Sequence, residues 1–134
     1  MSDPLQALEN DRAEVLRQIS QLGDMRPGSI LGVLGRCSKP NCHCARAGDP
    51  GHGPNFRLTR KIKGKTVAET LSSPAALSKA QREVAEFRRF RELSAKLLHV
   101  NEAICQRRPV QGEENLSGSE KKRRMLSIMK SLKR

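Results

Sequence analysis

Residues 37–44 read Cys37-Ser38-Lys39-Pro40-Asn41-Cys42-His43-Cys44, and His52 follows after seven intervening residues. Three of the chain's four cysteines fall inside that octet. Tetrahedral zinc takes thiolate and imidazole donors, and three Cys with one His form a standard structural set. The Pro40-Asn41 turn lets Cys37 fold back toward Cys42. Cys42 and Cys44 stand two apart, so in extended backbone both thiolates share a side and His43 points away. Gly51 and Gly53 flank His52 and free the backbone to bring its imidazole in. The expected ligands of one structural zinc ion per chain are therefore Cys37, Cys42, Cys44 and His52. His43 is the competing fourth ligand. Four protein ligands leave no open position for water.

Other uses of the thiols fit less well. A redox pair has no C-x-x-C motif to act through. An iron–sulfur cluster needs a fourth thiolate, and Cys105 could supply it only by folding back over the loop. Cys105 is expected instead as a packed helical cysteine beside Ile104, and His99 as a helix-face residue with no special role.

Outward from the cluster the pattern sets the fold class. Residues 45–55 hold three Gly and two Pro and read as loop. Phe56 to Ile62 and Lys65 to Leu71 flank Lys63-Gly64, a hairpin signal, with strands expected at about 55–62 and 65–71. Upstream, residues 23–36 look irregular, with Ser29–Leu34 open to a short strand or a turn. Asp3 and Pro4 start a helix over residues 4–22 that Gly23 ends, and Leu5, Leu8, Arg12, Val15, Ile19 and Leu22 form an a/d stripe interrupted by Arg12. Ser73-Pro74 starts a second helix, with Ser78 as a rival start, that runs without Gly or Pro to Arg107. Leu77, Ala80, Val84 and Phe87 give its stripe, and Phe90, Leu93, Leu97, Val100 and Ile104 continue it. The two stripes suit each other, within one chain or between two. The class is α+β: a zinc loop and two-stranded hairpin between an N-terminal helix and a long C-terminal helix, plus a flexible basic tail. The corresponding segments are 1–24, 25–72, 73–108 and 109–134. Ser117 can cap a short helix in the tail, frayed in isolation.

Composition limits what such a chain can do. It has no Trp or Tyr and only three Phe, which is lean for a core, so a metal staple is in keeping. No apolar run approaches a membrane span of about 20 residues, and no secretory signal is visible at Met1-Ser2-Asp3-Pro4. A cytoplasmic, reducing location follows as the expectation. The net charge of +12 is concentrated. Residues 1–24 are acidic on balance. Residues 36–65 carry Arg36, Lys39, Arg46, Arg57, Arg60, Lys61, Lys63 and Lys65 against Asp49, and residues 119–134 carry Lys121, Lys122, Arg123, Arg124, Lys130, Lys133 and Arg134 against Glu120. Two basic blocks of this kind point to a polyanion. No carboxylate lies near the cluster except Asp49, and no Ser/His/Asp arrangement or glycine-rich phosphate loop suggests an enzyme.

Several short motifs recur together: Met25-Arg26-Pro27-Gly28-Ser29, the cysteine octet, Gly51-His52-Gly53-Pro54, Leu58-Thr59-Arg60-Lys61 followed by Gly64-Lys65-Thr66, Phe87-Arg88-Arg89-Phe90-Arg91, and Asn101-Glu102 with Cys105. Over roughly residues 25–109 the chain resembles a family of short bacterial proteins described only as a domain of unknown function. Many members have an aromatic after the His-Gly-Pro, where this chain has Asn55 and then Phe56. The family's genes often lie beside mobile-element genes, so the resemblance implies an accessory role in DNA transposition or recombination.

Two functions are in view. One is a zinc-stabilised, non-catalytic nucleic-acid-binding accessory protein. Its contacts would be Arg36, Lys39, Arg46, Arg57, Arg60, Lys61, Lys63 and Lys65, with Lys121, Lys122, Arg123 and Arg124 as a flexible clamp. Scarce aromatics disfavour stacking on single strands, so duplex DNA or structured RNA is the expected partner. The other is a protein adaptor or homodimer that docks through helices 4–22 and 74–107. The basic amphipathic tail could also meet an anionic membrane surface.

Overall fold

The computed structural model describes residues 3–112 and 115–133. The Asp3 carboxylate accepts the Leu5 N–H at 3.0 Å, Pro4 takes the first helical position, and α1 spans Pro4–Ser20. It ends on Gln21, so Gly23 lies beyond the helix rather than capping it. Ser73 accepts the Ala76 N–H at 3.0 Å, Pro74 follows, and α2 spans Pro74–Arg107, which buries the rival start at Ser78 inside it. At about 1.5 Å per residue, α2 is about 50 Å long.

Between the helices lies an antiparallel sheet of β1 (Ser29–Gly35), β2 (His52–Ile62) and β3 (Lys65–Leu71), in that spatial order. The expected hairpin is thus two strands of a three-stranded sheet. The open segment before the cysteines becomes β1 because Ile30 pairs with Leu58 and Gly32 with Phe56, filling the same face. β2 also begins earlier than the composition of residues 45–55 suggests. Gly51 and Gly53 take positive φ (96° and 107°), which steers the chain into the ladder, and His52 pairs with Gly35 just past a register shift after Val33. At the other end, Lys63 (φ 50°) and Gly64 (φ 81°) make the left-handed pair that a tight hairpin requires.

One face of the sheet packs on the first half of α2. Leu58 and Leu71 from the strands and Ala80 and Val84 from the helix are buried, with Ile30, Phe56 and Leu77 around them. Burying a Leu or Val side chain fully contributes about 1.5–3 kcal/mol, so this cluster seats the sheet on the helix with only a few such contributions. Gly32 is required there: a Cβ would meet the Phe56 ring at 2.7 Å.

The second half of α2 packs antiparallel on α1. Val15 is buried on one side, and Leu93, Val100 and Ile104 on the other. The pairing direction is fixed by Glu9 with Arg108 at 2.7 Å, Arg12 with Asn101 at 3.1 Å, and the Gly23 N–H with Glu86 at 3.1 Å. The polar interruption of the α1 stripe therefore has a partner, since Arg12 donates to the Asn101 side chain. Both stripes meet within one chain. Cys105, expected to pack beside Ile104, is exposed, because the helix turns it away from the seam that buries Ile104.

Arg26 locks the link between α1 and β1. Its N–H donates to the Glu83 carbonyl at 3.2 Å, and its guanidinium lies 2.7 Å from Glu69 and 3.1 Å from Glu83. Lys79 also holds Glu83, at 2.7 Å, and these cations keep the Glu83 carboxyl below the usual range. The tail expected to be flexible forms α3 (Gly118–Leu132), capped by Ser117, with no buried residue. Among the described residues, no helix is long and apolar enough to cross a membrane.

Candidate metal centre and basic surface

The octet folds as a knuckle between β1 and β2. Backbone hydrogen bonds from Cys42 N–H to the Lys39 carbonyl (3.2 Å) and from Ala45 N–H to the Cys42 carbonyl (3.1 Å) close two turns in succession. The second is a single 3-10 turn, His43–Ala45, where extended backbone was expected. Its effect on the side chains is the expected one: Cys42 and Cys44 turn inward and His43 outward.

The ligand atoms of Cys37, Cys42, Cys44 and His52 all lie within 4.8 Å of one another. Cys37 Sγ is 3.5 Å from Cys44 Sγ, and Cys42 Sγ is 3.1 Å from His52 Nε2. A zinc tetrahedron with Zn–S bonds of about 2.3 Å has S···S edges of about 3.8 Å, so one ion fits this spacing with small adjustments. All the cysteines are free thiols. Cys44 is fully buried, Cys42 and His52 half-buried, and Cys37 exposed at the rim. These four residues could hold one metal ion.

The local electrostatics pull Cys37 and Cys44 in opposite directions. The Lys39 backbone N–H, followed by the Cys44 and Cys42 side chains, pulls the Cys37 thiol below its ordinary value. At Cys44 the Cys37 backbone N–H favours the thiolate, yet burial and the neighbouring thiols together push the group up. A bound cation reverses that balance, because a coordinating thiol is deprotonated outright.

His43 has a different task. Its Nδ1 lies 3.1 Å from the Asp49 carboxylate, which raises the imidazole above its ordinary value. Asp49 itself accepts the Gly51 N–H at 2.8 Å, and that bond leads in holding its carboxyl low. The His43 and His52 rings meet edge-on, with centroids 4.8 Å apart. His43 and Asp49 thus brace the backbone that presents His52.

The cationic residues divide. Arg36 turns inward, donating to the Cys44 carbonyl and, at 2.7 Å, to the Asp49 carbonyl, so it holds the knuckle together. Lys39 and Arg46 stand exposed on the knuckle. Along β2 the pleat separates neighbours: Arg57 and Lys61 alternate with the core residues Phe56 and Leu58 and project from the face away from α2, whereas Arg60 shares the core-side parity. Lys63 and Lys65 sit at the hairpin turn. In α3, Arg123 and Arg124 bind Glu120 at 2.7 and 3.3 Å, while Lys121 and Lys122 are exposed.

Sequence reading assigned no role to Arg88 and Arg91. Together with Arg60, Lys61 and Phe87 they line a cleft of about 410 Å³ between the start of β1, β2 and α2. The available signal was the Arg-x-x-Arg spacing, which places both guanidinium groups on one helical face beside Phe87.

No curated protein and no solved structure matches the chain. A family model matches residues 5–82, from α1 through the whole sheet into the first turns of α2, which takes in the four-residue cluster and stops short of Arg88. By that match, the chain belongs to the family described as a domain of unknown function, DUF6788.

Proposed function

We propose that the chain is a zinc-stabilised, non-catalytic nucleic-acid-binding accessory protein. The observation that carries the reading is the convergence of three thiols and one imidazole at the end of a sheet whose middle strand is cationic. Three Cys with one His is a structural zinc set, and four protein ligands leave no place for a reactive water. The ion closes the end of the sheet where apolar packing gives out. Residues 31–40 are exposed throughout.

The cations beside it are the working surface. Lys39 and Arg46 on the knuckle, Arg57 and Lys61 on the open face, Arg60 at the cleft, and Lys63 and Lys65 at the turn sit on one rigid support. Arg36 serves this surface by fixing the knuckle. Lys121 and Lys122, with Arg123 and Arg124 around Glu120, add a second arm. Phosphates would take most of these contacts. Without Trp or Tyr the protein has little with which to stack unpaired bases, so duplex DNA or structured RNA is the partner class. Transposition or recombination is the setting we propose, on the resemblance alone.

Fluorescence anisotropy with a DNA duplex and an RNA duplex over a salt series tests the reading. We expect binding at low salt that weakens steeply as salt rises. Absence of binding to both duplexes at low salt would remove the nucleic-acid part of the proposal.

A second reading has its own support. Met125, Leu126, Ile128, Met129 and Leu132 of α3 are all exposed, the last at 78%. An amphipathic helix whose apolar face none of the described residues buries suits a protein partner. Because α1 and α2 use their stripes on each other, such docking would run through α3 rather than through the helices at 4–22 and 74–107.

A further inference from the structure

The cleft between β2 and α2 brings three guanidinium groups together from two elements. Arg60 comes from the core-side parity of the strand, Arg88 and Arg91 from one face of the helix, and Phe87 lines the cleft with them. Among the described residues, none of the three has a carboxylate partner. Arg17, Arg26, Arg108 and Arg123 each meet a glutamate, Arg12 meets Asn101, and Arg36 meets backbone carbonyls. The cleft guanidinium groups, like those of Arg46, Arg57, Arg89 and Arg107, have no such pair among the described residues; what distinguishes the cleft is that three of them line one hollow. Glu92, the next carboxylate along the helix, borders the neighbouring groove with Arg88 and Arg91, yet it forms an ion pair with neither.

Three like charges gathered by tertiary packing repel one another, and among the described residues folding pairs them with no anion. A bound anion relieves that repulsion. The apolar Phe87 ring lowers the local dielectric and strengthens each contact. Guanidinium groups bind phosphate oxygens in pairs of parallel hydrogen bonds, which a lysine cannot do. The cleft volume, about 410 Å³, lies within the range of about 300–1,000 Å³ typical of ligand sites. Its position is also telling. Ser29 pairs with Thr59 at the cleft end of the β1–β2 ladder, and Gly35 pairs with His52 at the metal end. Six residues of strand separate these ends by about 20 Å. Measured along a duplex axis, that length spans about six base pairs.

We propose that this cleft seats consecutive backbone phosphates of the bound nucleic acid, fixing one end of a phosphate track whose other end lies at the metal knuckle. The proposal rests on the nucleic-acid reading above and adds Arg88 and Arg91 to the surface that reading uses.

The test uses the full, metal-loaded chain and two probes: inorganic pyrophosphate followed by amide NMR, and a labelled DNA duplex followed by anisotropy over a salt series. In the native chain, pyrophosphate should shift the amides of Gly28, Ser29 and Thr59. In an Arg88→Gln/Arg91→Gln variant those shifts should vanish, and the slope of log K against log salt should become shallower by about two. Arg88→Lys/Arg91→Lys keeps the charge and should recover the slope. Lys121→Gln/Lys122→Gln should leave the pyrophosphate shifts in place. Duplex binding by the Arg88→Gln/Arg91→Gln chain with native affinity and slope would overturn the proposal while leaving the nucleic-acid reading intact. A native chain that takes pyrophosphate in the cleft but binds neither DNA nor RNA duplex would overturn both, and would make a free polyphosphate the ligand of the cleft. Arg88 and Arg91 are exposed, so the glutamine variant should keep its fold, which metal content and thermal melting check.

Discussion

His52 pairs with Gly35 across the β1–β2 ladder while its Nε2 lies 3.1 Å from Cys42 Sγ, so one residue belongs to both the sheet and the metal cluster. The start of β2 is therefore held from two sides, by ladder hydrogen bonds and by the ligand set. Losing the metal should loosen the sheet from that end.

Cys42→Ser should abolish stoichiometric metal binding and release residues 30–70 from the folded state. Structural zinc in small finger peptides contributes about 10–16 kcal/mol of apparent binding free energy, more than the sparse apolar contacts here can replace. The α1–α2 pair has its own buried seam and should stay helical. Hydrogen exchange on the variant checks this: rapid exchange should be confined to the sheet and knuckle, and uniform exchange through α1 and α2 would contradict it.

The two histidines should behave differently. His52→Ala removes a ligand atom and should lower metal content sharply. His43→Ala removes only the brace to Asp49 and should keep one ion, with affinity reduced by about 10–100-fold at most, as for other second-layer partners of a metal ligand. Competition with a chromogenic chelator separates them, and the reverse order would reassign the fourth ligand.

Gly28 has φ +145°, and a Cβ on it would lie 2.6 Å from Leu58 Cδ1 and 3.1 Å from the Thr59 carbonyl oxygen. Gly28→Ala should cost about 1–3 kcal/mol for the backbone strain, with further loss from displacing Leu58 out of the core. Urea unfolding of the metal-loaded protein gives the value. A change within error would show that the β1 entry can move aside.

Glu83 supplies the pH dependence. Lys79 and Arg26 hold its folded-state carboxyl below the ordinary value of 4.5, so it takes up protons more readily when unfolded. Its contribution is present in full above that ordinary value and is lost as pH falls below it through the depressed folded value. Glu83→Gln should lower the melting temperature at neutral pH and have less effect below about pH 4. An equal penalty at both pH values would mean that the carboxylate charge is not what stabilises the link.

Much of this was legible in the residues, and the failures have causes. The helix signals at Asp3-Pro4 and Ser73-Pro74 are local chemistry, so both starts could be read directly. The stripes of α1 and α2 predicted their seam down to Arg12, whose partner Asn101 could not be named because it lies 89 residues away. Strand β1 stayed open because Gly32 and Gly35 look like loop residues until Phe56 is seen to need the space above Gly32. The early start of β2 was hidden for the same reason, since glycine serves loops and irregular strand ends alike. Among the cations, spacing located the blocks but could not divide them: the pleat separates Arg57 from Arg60, and only the packing of α2 on the sheet brings Arg88 and Arg91 to Arg60. The set of thiols and imidazole was legible because ligand type and spacing carry it, whereas Arg36, read as a phosphate contact, turned out to face the knuckle carbonyls.

The account stands most directly on the metal content of the native chain. Protein purified under reducing conditions without added metal, assayed by inductively coupled plasma mass spectrometry, should carry close to one zinc per chain, released only when the thiols are modified or the chain unfolds. Fully folded protein with free thiols and no bound metal would contradict it.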